Sequence, residues 1–168
     1  MSERRDITLT VNGVLCQRQI EPRTTLLDFL RDEVGLTGTH AGCEHGVCGV
    51  CAVLVDGTPV RSCLLFAVQL EGAGVTTVEG LNAADGALSP IQDAFCETHG
   101  MQCGYCTPGM LIAVHDLLAH NADPDDDAIR EAIGGTLCRC TGYGQIIEAV
   151  RLAAARLRQA APVEGSGQ

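Results

Sequence analysis

The stretch Gly42-Cys43-Glu44-His45-Gly46-Val47-Cys48-Gly49-Val50-Cys51 decides how the rest of the chain is read. Three cysteines spaced C-x4-C-x2-C are interleaved with glycines, a composition suited to a loop that curls around a guest rather than to a packed helix or strand. Cys63 follows as a fourth thiol. A [2Fe-2S] rhomb needs four soft thiolates, two for each iron, and C-x4-C-x2-C with a distant fourth cysteine is a spacing that holds one. The glycines let backbone amides approach the sulfurs, where donors offset added negative charge. A four-cysteine zinc knob is the competing reading, but zinc sites usually show two C-x2-4-C pairs.

Working outward, residues 6–20 predict a hairpin: Ile7, Leu9 and Val11 alternate with polar residues and Asn12-Gly13 supplies the turn. Thr24 or Thr25 then caps a short helix carrying Leu26, Leu27, Leu30 and Val34, which Gly35 stops. A second hairpin spans 52–61 around Asp56-Gly57 and leads to Cys63. A helical segment over 64–70 and a last strand over 75–78 complete a mixed strand–helix domain, residues 1–80. Residues 81–88, rich in Ala, Asn, Asp and Gly, read as a linker.

Beyond the linker the period turns helical, giving an all-α domain over 89–160. Ser89-Pro90, Thr107-Pro108 and Asp123-Pro124 each pair a cap with an early proline, and a fourth helix starts near Gln145. Acids at 125–127 and the late arginines Arg151, Arg156 and Arg158 suit the helix dipoles. Residues 161–168 have no pattern and are expected to be disordered.

This half repeats itself. Cys103-x2-Cys106-Thr107-Pro108-Gly109 and Cys138-x-Cys140-Thr141-Gly142 each follow a helix and a glycine, and each offers two thiolates. The two units can close around one site at the helix ends, related by a pseudo-twofold axis, in a four-helix arrangement. Their spacing alone suits zinc or iron. Cys16, in a strand, and Cys96, in a helix, are read as small buried hydrophobes. His45 and His99 border the two cysteine sets, but four cysteines at each leave no ligand position for them, and His45 is taken as a solvated loop residue.

Composition narrows the class. Of the 168 residues 46% are hydrophobic but only 3% aromatic, which favours two small aliphatic cores stapled by metal over one large core. The formal net charge of -10 argues against a nucleic-acid surface and for protein partners. Arg4-Arg5 precedes an alternating strand pattern and no apolar run, so it is not an export signal, and no stretch is long enough to span a membrane. A cytoplasmic location follows, where ten cysteines are metal ligands before they are disulfides. No hydrolase, zinc-protease or phosphate-loop motif is present, so the chain carries electrons without performing the bond-making step.

With these motifs in hand, the chain resembles the small two-cluster [2Fe-2S] iron–sulfur subunit of the molybdenum hydroxylases, the family of xanthine dehydrogenase and of carbon monoxide, quinoline and nicotinate dehydrogenases. The matching segments are Gly42-Cys43-Glu44-x3-Cys48-Gly49-x-Cys51, Gln102-Cys103-Gly104-Tyr105-Cys106-Thr107-Pro108-Gly109 and Leu137-Cys138-Arg139-Cys140-Thr141-Gly142-Tyr143. The resemblance implies an α+β chain, a ferredoxin-like β-grasp domain followed by a four-helix domain. It makes Cys43, Cys48, Cys51 and Cys63 the ligands of a distal cluster, and Cys103, Cys106, Cys138 and Cys140 those of a proximal one. It sets Gln102 and Cys140 beside the molybdopterin (molybdenum) of a large partner subunit, with electrons leaving to FAD in a medium subunit or to another acceptor, in an assembly such as a dimer of heterotrimers. Val50 and Thr136 stand where alanine and asparagine are frequent; the Thr107-Pro108-Gly109 version favours a flavin partner. The glycine-rich first loop is expected to be the more accessible site.

Overall fold

The computed structural model describes residues 3–83 and 85–160. The tail expected at 161–168 lies outside the described residues. Strands β1 (Arg5–Val11) and β2 (Val14–Ile20) form the first hairpin, and β3 (Ala52–Val55) and β4 (Thr58–Arg61) the second. Both turns use left-handed residues: Asn12 and Gly13 have φ of 49° and 79°, Asp56 and Gly57 have 47° and 81°. This hand matches the twist of the strands that each turn joins. A short strand, β5 (Gly74–Thr76), lies between the hairpins, giving the sheet order β2-β1-β5-β3-β4, with β5 parallel to β1 and antiparallel to β3.

Ile7, Leu9 and Val11 alternate onto the buried face of β1, where Leu26, Phe29 and Leu30 pack over them. The helix that carries those three residues begins as α1 (Leu26–Asp28), capped by the Thr25 hydroxyl, and then widens into a π-helical turn at Phe29–Glu33. Widening shifts the side-chain phase by one residue, and Leu26, Leu27, Phe29 and Leu30 are all buried. The strand expected over 75–78 stops at Thr76: the Asn12 side chain accepts from the Thr77 amide (2.9 Å) and donates to its hydroxyl (2.9 Å), and Val78–Leu81 forms a 3-10 turn.

The second half consists of α2 (Pro90–Glu97), α3 (Thr107–His120), α4 (Asp126–Gly134) and α5 (Gly144–Ala160). Ser89 and Gln92 make a reciprocal capping box on α2, and Asp125 caps α4, two residues later than the Asp123-Pro124 signal suggests. Phe95, Met110, Val114, Ile129, Ile133, Ile146 and Val150 form a second core, separate from that of the sheet. The two halves meet where Ile112 of α3 packs on Ala52 and Leu54 of β3. Arg156 and Arg151 turn away from their own helix end: Arg156 bonds Asp93 (2.9 Å) and Glu97 of α2, and Arg151 bonds Asp126 of α4. None of the helices among the described residues is long and apolar enough to cross a membrane.

Candidate metal centres

Three cysteines of the first set lie on the loop between the π-turn and β3, and the fourth, Cys63, lies in a 3-10 turn after β4. Two of its glycines are dictated by contact as well as by backbone angle. A Cβ on Gly46 (φ 84°) would meet Leu64 Cδ1 at 2.6 Å, and one on Gly49 (φ 79°) would sit 2.2 Å from the Gly135 carbonyl oxygen. The loop therefore folds tightly enough for its amides to face sulfur. Cys48 N–H points to Cys43 Sγ at 3.4 Å. Amide hydrogen bonds, from His45 first and then Cys48, bring the Cys43 thiol down to about 6. Cys51 and Cys63 lie inside, packed with Leu27 and Ala41. Burial, then the hydrogen bond with Cys51 and the charges of Cys51 and Cys43, pushes Cys63 up to about 11.

The second set sits where helices begin and end. Cys106 immediately precedes α3 and is buried, Cys138 is half-buried, and Cys103 and Cys140 are exposed. Cys140 Sγ lies 3.5 Å from Cys103 Sγ. The Tyr105 amide and then the Cys140 thiol lower Cys103, while that same contact with Cys103 raises Cys140. Burial, followed by the hydrogen bond with Cys138 and the charges of Cys138 and Cys103, takes Cys106 up to about 12. At Cys138 burial works upward, but the Thr141 hydroxyl at 3.2 Å and the amides of Thr141 and Cys140 prevail and lower it. The Tyr143 hydroxyl accepts from Cys138 N–H (2.9 Å) and donates to the Thr136 carbonyl (3.3 Å), bracing the loop.

Each quartet thus resolves into two neighbouring pairs. Cys43 is bonded with Cys48 and Cys51 with Cys63 at the first site; Cys103 is bonded with Cys140 and Cys106 with Cys138 at the second. Charge couples the pairs across each site, Cys43 to Cys63 and Cys103 to Cys138 and Cys106. All ten cysteines are free thiols. Among the described residues no three His, Cys, Asp or Glu side chains gather as for a single metal ion. Two pairs of thiols facing one another fit a binuclear core that takes two ligands per iron. The Thr107 hydroxyl, next in the chain after Cys106, is buried without a partner and is a donor available to such a group.

The two sites adjoin. Leu137 N–H donates to the Cys48 carbonyl at 2.8 Å, one residue before Cys138. The Tyr105 hydroxyl, from inside the Cys103–Cys106 turn, donates to the Ala41 carbonyl, and its ring stacks on His40 with centroids 4.8 Å apart. Tyr105 and Tyr143 both stand in the motifs, but their roles as braces were not legible in the sequence, because each partner is a carbonyl or amide that any residue could supply.

Two expectations need correction. Cys96 is exposed on α2 and does not act as a buried hydrophobe. The first loop is not the more accessible site of this chain: Cys43 and Cys48 are half-buried while Cys103 and Cys140 are exposed, because the second set sits on open helix ends and the first is folded against Leu64 and the Gly135 turn. Gln102 lies beside Cys103 on that exposed rim, and His45 is exposed as expected.

Comparison with known proteins agrees with this geometry. A family of 2Fe-2S iron–sulfur cluster binding domains matches residues 9–75, and a family of [2Fe-2S] binding domains matches residues 77–151. The chain is 55% identical to the caffeine dehydrogenase subunit gamma of Pseudomonas sp. (strain CBB1), over 86% of this chain and 88% of that protein. It is 50% identical to the nicotine 6-hydroxylase small subunit of Paenarthrobacter nicotinovorans, over 89% of each. The structure of quinoline 2-oxidoreductase from Pseudomonas putida 86 superposes with a TM-score of 0.89 at 48% identity, over 95% of this chain and 99% of that one. Two cluster-binding domains in this order, on a chain that spans nearly the whole of such subunits, establish that it belongs to the family of small [2Fe-2S] iron–sulfur subunits of the molybdenum hydroxylases, oxidoreductases in which this subunit transfers electrons.

Proposed function

We propose that the chain relays electrons from a molybdopterin site in a large partner subunit, through a proximal and then a distal [2Fe-2S] cluster, to FAD in a medium subunit. Cys103, Cys106, Cys138 and Cys140 hold the proximal cluster, with Gln102 and Cys140 turned to the pterin, and Cys43, Cys48, Cys51 and Cys63 hold the distal one. The observation that carries the reading is the meeting of two paired thiol quartets through the Leu137 N–H to Cys48 carbonyl bond.

When bound, each cluster supplies a one-electron store whose formal charge becomes about one unit more negative on reduction. The chain's own groups temper that charge. At the first site the His45 and Cys48 amides are aimed at Cys43, and at the second the Thr141 hydroxyl at Cys138 and the Tyr105 amide at Cys103. The inner cysteines Cys51, Cys63 and Cys106 are shielded from water. The exposed Cys103–Cys140 rim, with Tyr105 and Leu137 half-exposed beside it, is a surface for the large subunit to cover. Val47 and Leu64 are exposed around the first loop and suit an acceptor subunit. The domains divide at 81–88, the assembly is a dimer of heterotrimers, and the unpaired cysteines suit the cytoplasm.

Co-purification with natural partners, sizing, and assay for iron, molybdenum and FAD tests the reading. The expected complex contains all three and shows two distinct EPR signals on reduction. A colourless chain containing zinc, or a monomer with clusters but no stable partner, would refute it.

A further inference from the structure

The junction between the two cysteine sets is held by backbone, by Tyr105 against Ala41 and His40, and by one long side chain reaching from the sheet to the far loop. Arg61 ends β4, two residues before Cys63, and its Nη2 donates to the Gly135 carbonyl at 2.8 Å, across 74 positions of sequence. That carbonyl follows the last turn of α4, where unpaired carbonyls carry the negative end of the helix dipole and attract a cation. Arg61 makes no salt bridge among the described residues, so its charge is not diverted to a carboxylate.

What the guanidinium grips is the start of the second site's loop. Gly135 leads through Thr136 and Leu137 to Cys138. The same carbonyl lies against Gly49, where a Cβ would come within 2.2 Å of it and within 2.8 Å of the buried, unpartnered Thr136 hydroxyl. Gly109 at the start of α3 closes the other side, where a Cβ would meet the Gly49 carbonyl at 2.4 Å. Arg61 and the Leu137 amide therefore fasten one tetrapeptide to the first site at two points. The Leu137 bond is main chain to main chain and carries no side chain that sets its length. Arg61 is the adjustable member of the pair. On its own side it is tied to Cys51, a second of the four first-site ligands, since Arg61 pairs with Ala52 in the β3–β4 ladder and Ser62 donates to the Cys51 carbonyl through both its amide and its hydroxyl.

We propose that Arg61 is a positioning residue for electron transfer between the two clusters: by gripping the Gly135 carbonyl from the strand that leads to Cys63, it fixes the Gly135–Cys138 loop against Cys48 and Gly49. The inference rests on the two-cluster reading above. In the step it serves, one electron leaves the Cys103–Cys140 site, which is oxidised, and arrives at the Cys43–Cys63 site, which is reduced, with no bond made or broken. A cap that merely stabilises α4 has no bearing on this step.

The test uses the 168-residue chain carrying both clusters, with Arg61→Met and Arg61→Gln beside the unaltered protein. The readouts are the splitting of low-temperature EPR lines caused by magnetic interaction between the two reduced clusters, which depends on their distance and orientation, and the rate of electron redistribution after flash reduction. Both variants are expected to keep both signals, to show altered splitting, and to redistribute electrons several-fold more slowly. Either variant that loads both clusters decides the matter. Unaltered splitting and rate overturn the proposal even if the melting temperature falls, for Arg61 is then only a helix cap. A shifted midpoint potential with unaltered splitting and rate overturns it too, leaving Arg61 a source of charge alone. Failure of both variants to load either cluster overturns it by making Arg61 a folding residue. Absence of two signals in the unaltered protein would instead refute the two-cluster reading itself.

Discussion

The first and second cysteine sites reach the same arrangement by opposite means. Each has an inner part shielded from water and an outer pair nearer the surface, Cys51 and Cys63 within Cys43 and Cys48, Cys106 within Cys103 and Cys140. The first builds this from a loop whose backbone turns left-handed at Glu44, Gly46 and Gly49, so its donors to sulfur are amides. The second builds it from helix ends, where side chains join the amides: the Tyr105 amide reaches Cys103, the Thr141 hydroxyl reaches Cys138 and the Tyr143 phenol holds the Cys138 amide. A loop supplies donors through its shape alone, whereas a helix end supplements its amides with side chains. Substitution should therefore perturb the first site mostly through glycines and the second through hydroxyls as well.

The severest way to break the comparison is to remove an inner ligand. Cys51→Ala should abolish one EPR signal and lower bound iron by about half, since each cluster holds two irons, while the other signal persists. Loss of both signals would mean that the sites do not assemble independently.

Next in size is the contrast between outer and inner thiols in the cluster-free chain. Cys43, lowered to about 6, is a thiolate at neutral pH, and Cys63, raised to about 11, is a thiol. At pH 7 the thiolate fraction favours Cys43 by about 10⁴, and the weaker intrinsic nucleophilicity of a low-pKa thiolate returns roughly a hundredfold. Reaction with an aromatic disulfide followed by peptide mapping should thus find Cys43 faster by about a hundredfold. Both reactions should slow together as pH falls below about 6, with the advantage retained, and the advantage should close as pH rises toward about 11, where Cys63 ionises.

Glycines offer a graded test. Gly49 and Gly104 share a left-handed φ, 79° and 80°, but a Cβ strikes the Gly135 carbonyl at Gly49 and meets nothing within 4 Å at Gly104. Gly49→Ala should cost about 3 kcal/mol, the sum of backbone strain and overpacking, and Gly104→Ala about 1 kcal/mol from strain alone. Thermal unfolding of the cluster-loaded chain measures both. Tyr143→Phe sharpens the comparison with the smallest effect. It leaves the Cys138 amide without its partner, at about 1 kcal/mol, and should move the midpoint potential of the second cluster while leaving that of the first unchanged.

Much of this was legible in the chain. Asn12-Gly13 and Asp56-Gly57 fix their hairpins through positive φ, and Ser89-Pro90 and Thr107-Pro108 place the starts of α2 and α3 within a residue. The eight cysteines brought together are the eight that the motifs single out. Which of them pair was not legible: Cys140 neighbours Cys103, 37 positions away, and not Cys138, two away, because Thr141 and Tyr143 hold Cys138 inward. Spacing names a quartet, and only packing divides it. The π-turn was invisible for a related reason, since Leu26, Leu27, Leu30 and Val34 fit a regular α-helix as well. The early end of β5 depended on the Asn12 amide, which the sequence offered only as a turn residue. Arg61 lies outside every cysteine motif, and its bond to Gly135 has no local signature.

The bond from the Leu137 amide to the Cys48 carbonyl has a bearing on how this subunit tolerates inheritance. Both of its atoms belong to the main chain, so genetic variation at either position exchanges the side chain and leaves the contact in place. Leu137 points largely into solvent, 54% exposed, and is free to be remodelled to suit whatever surface a given partner presents. Proline is the one replacement that deletes the donor. A lineage can therefore redesign the rim of the second site for new company without disturbing the seam between the two halves.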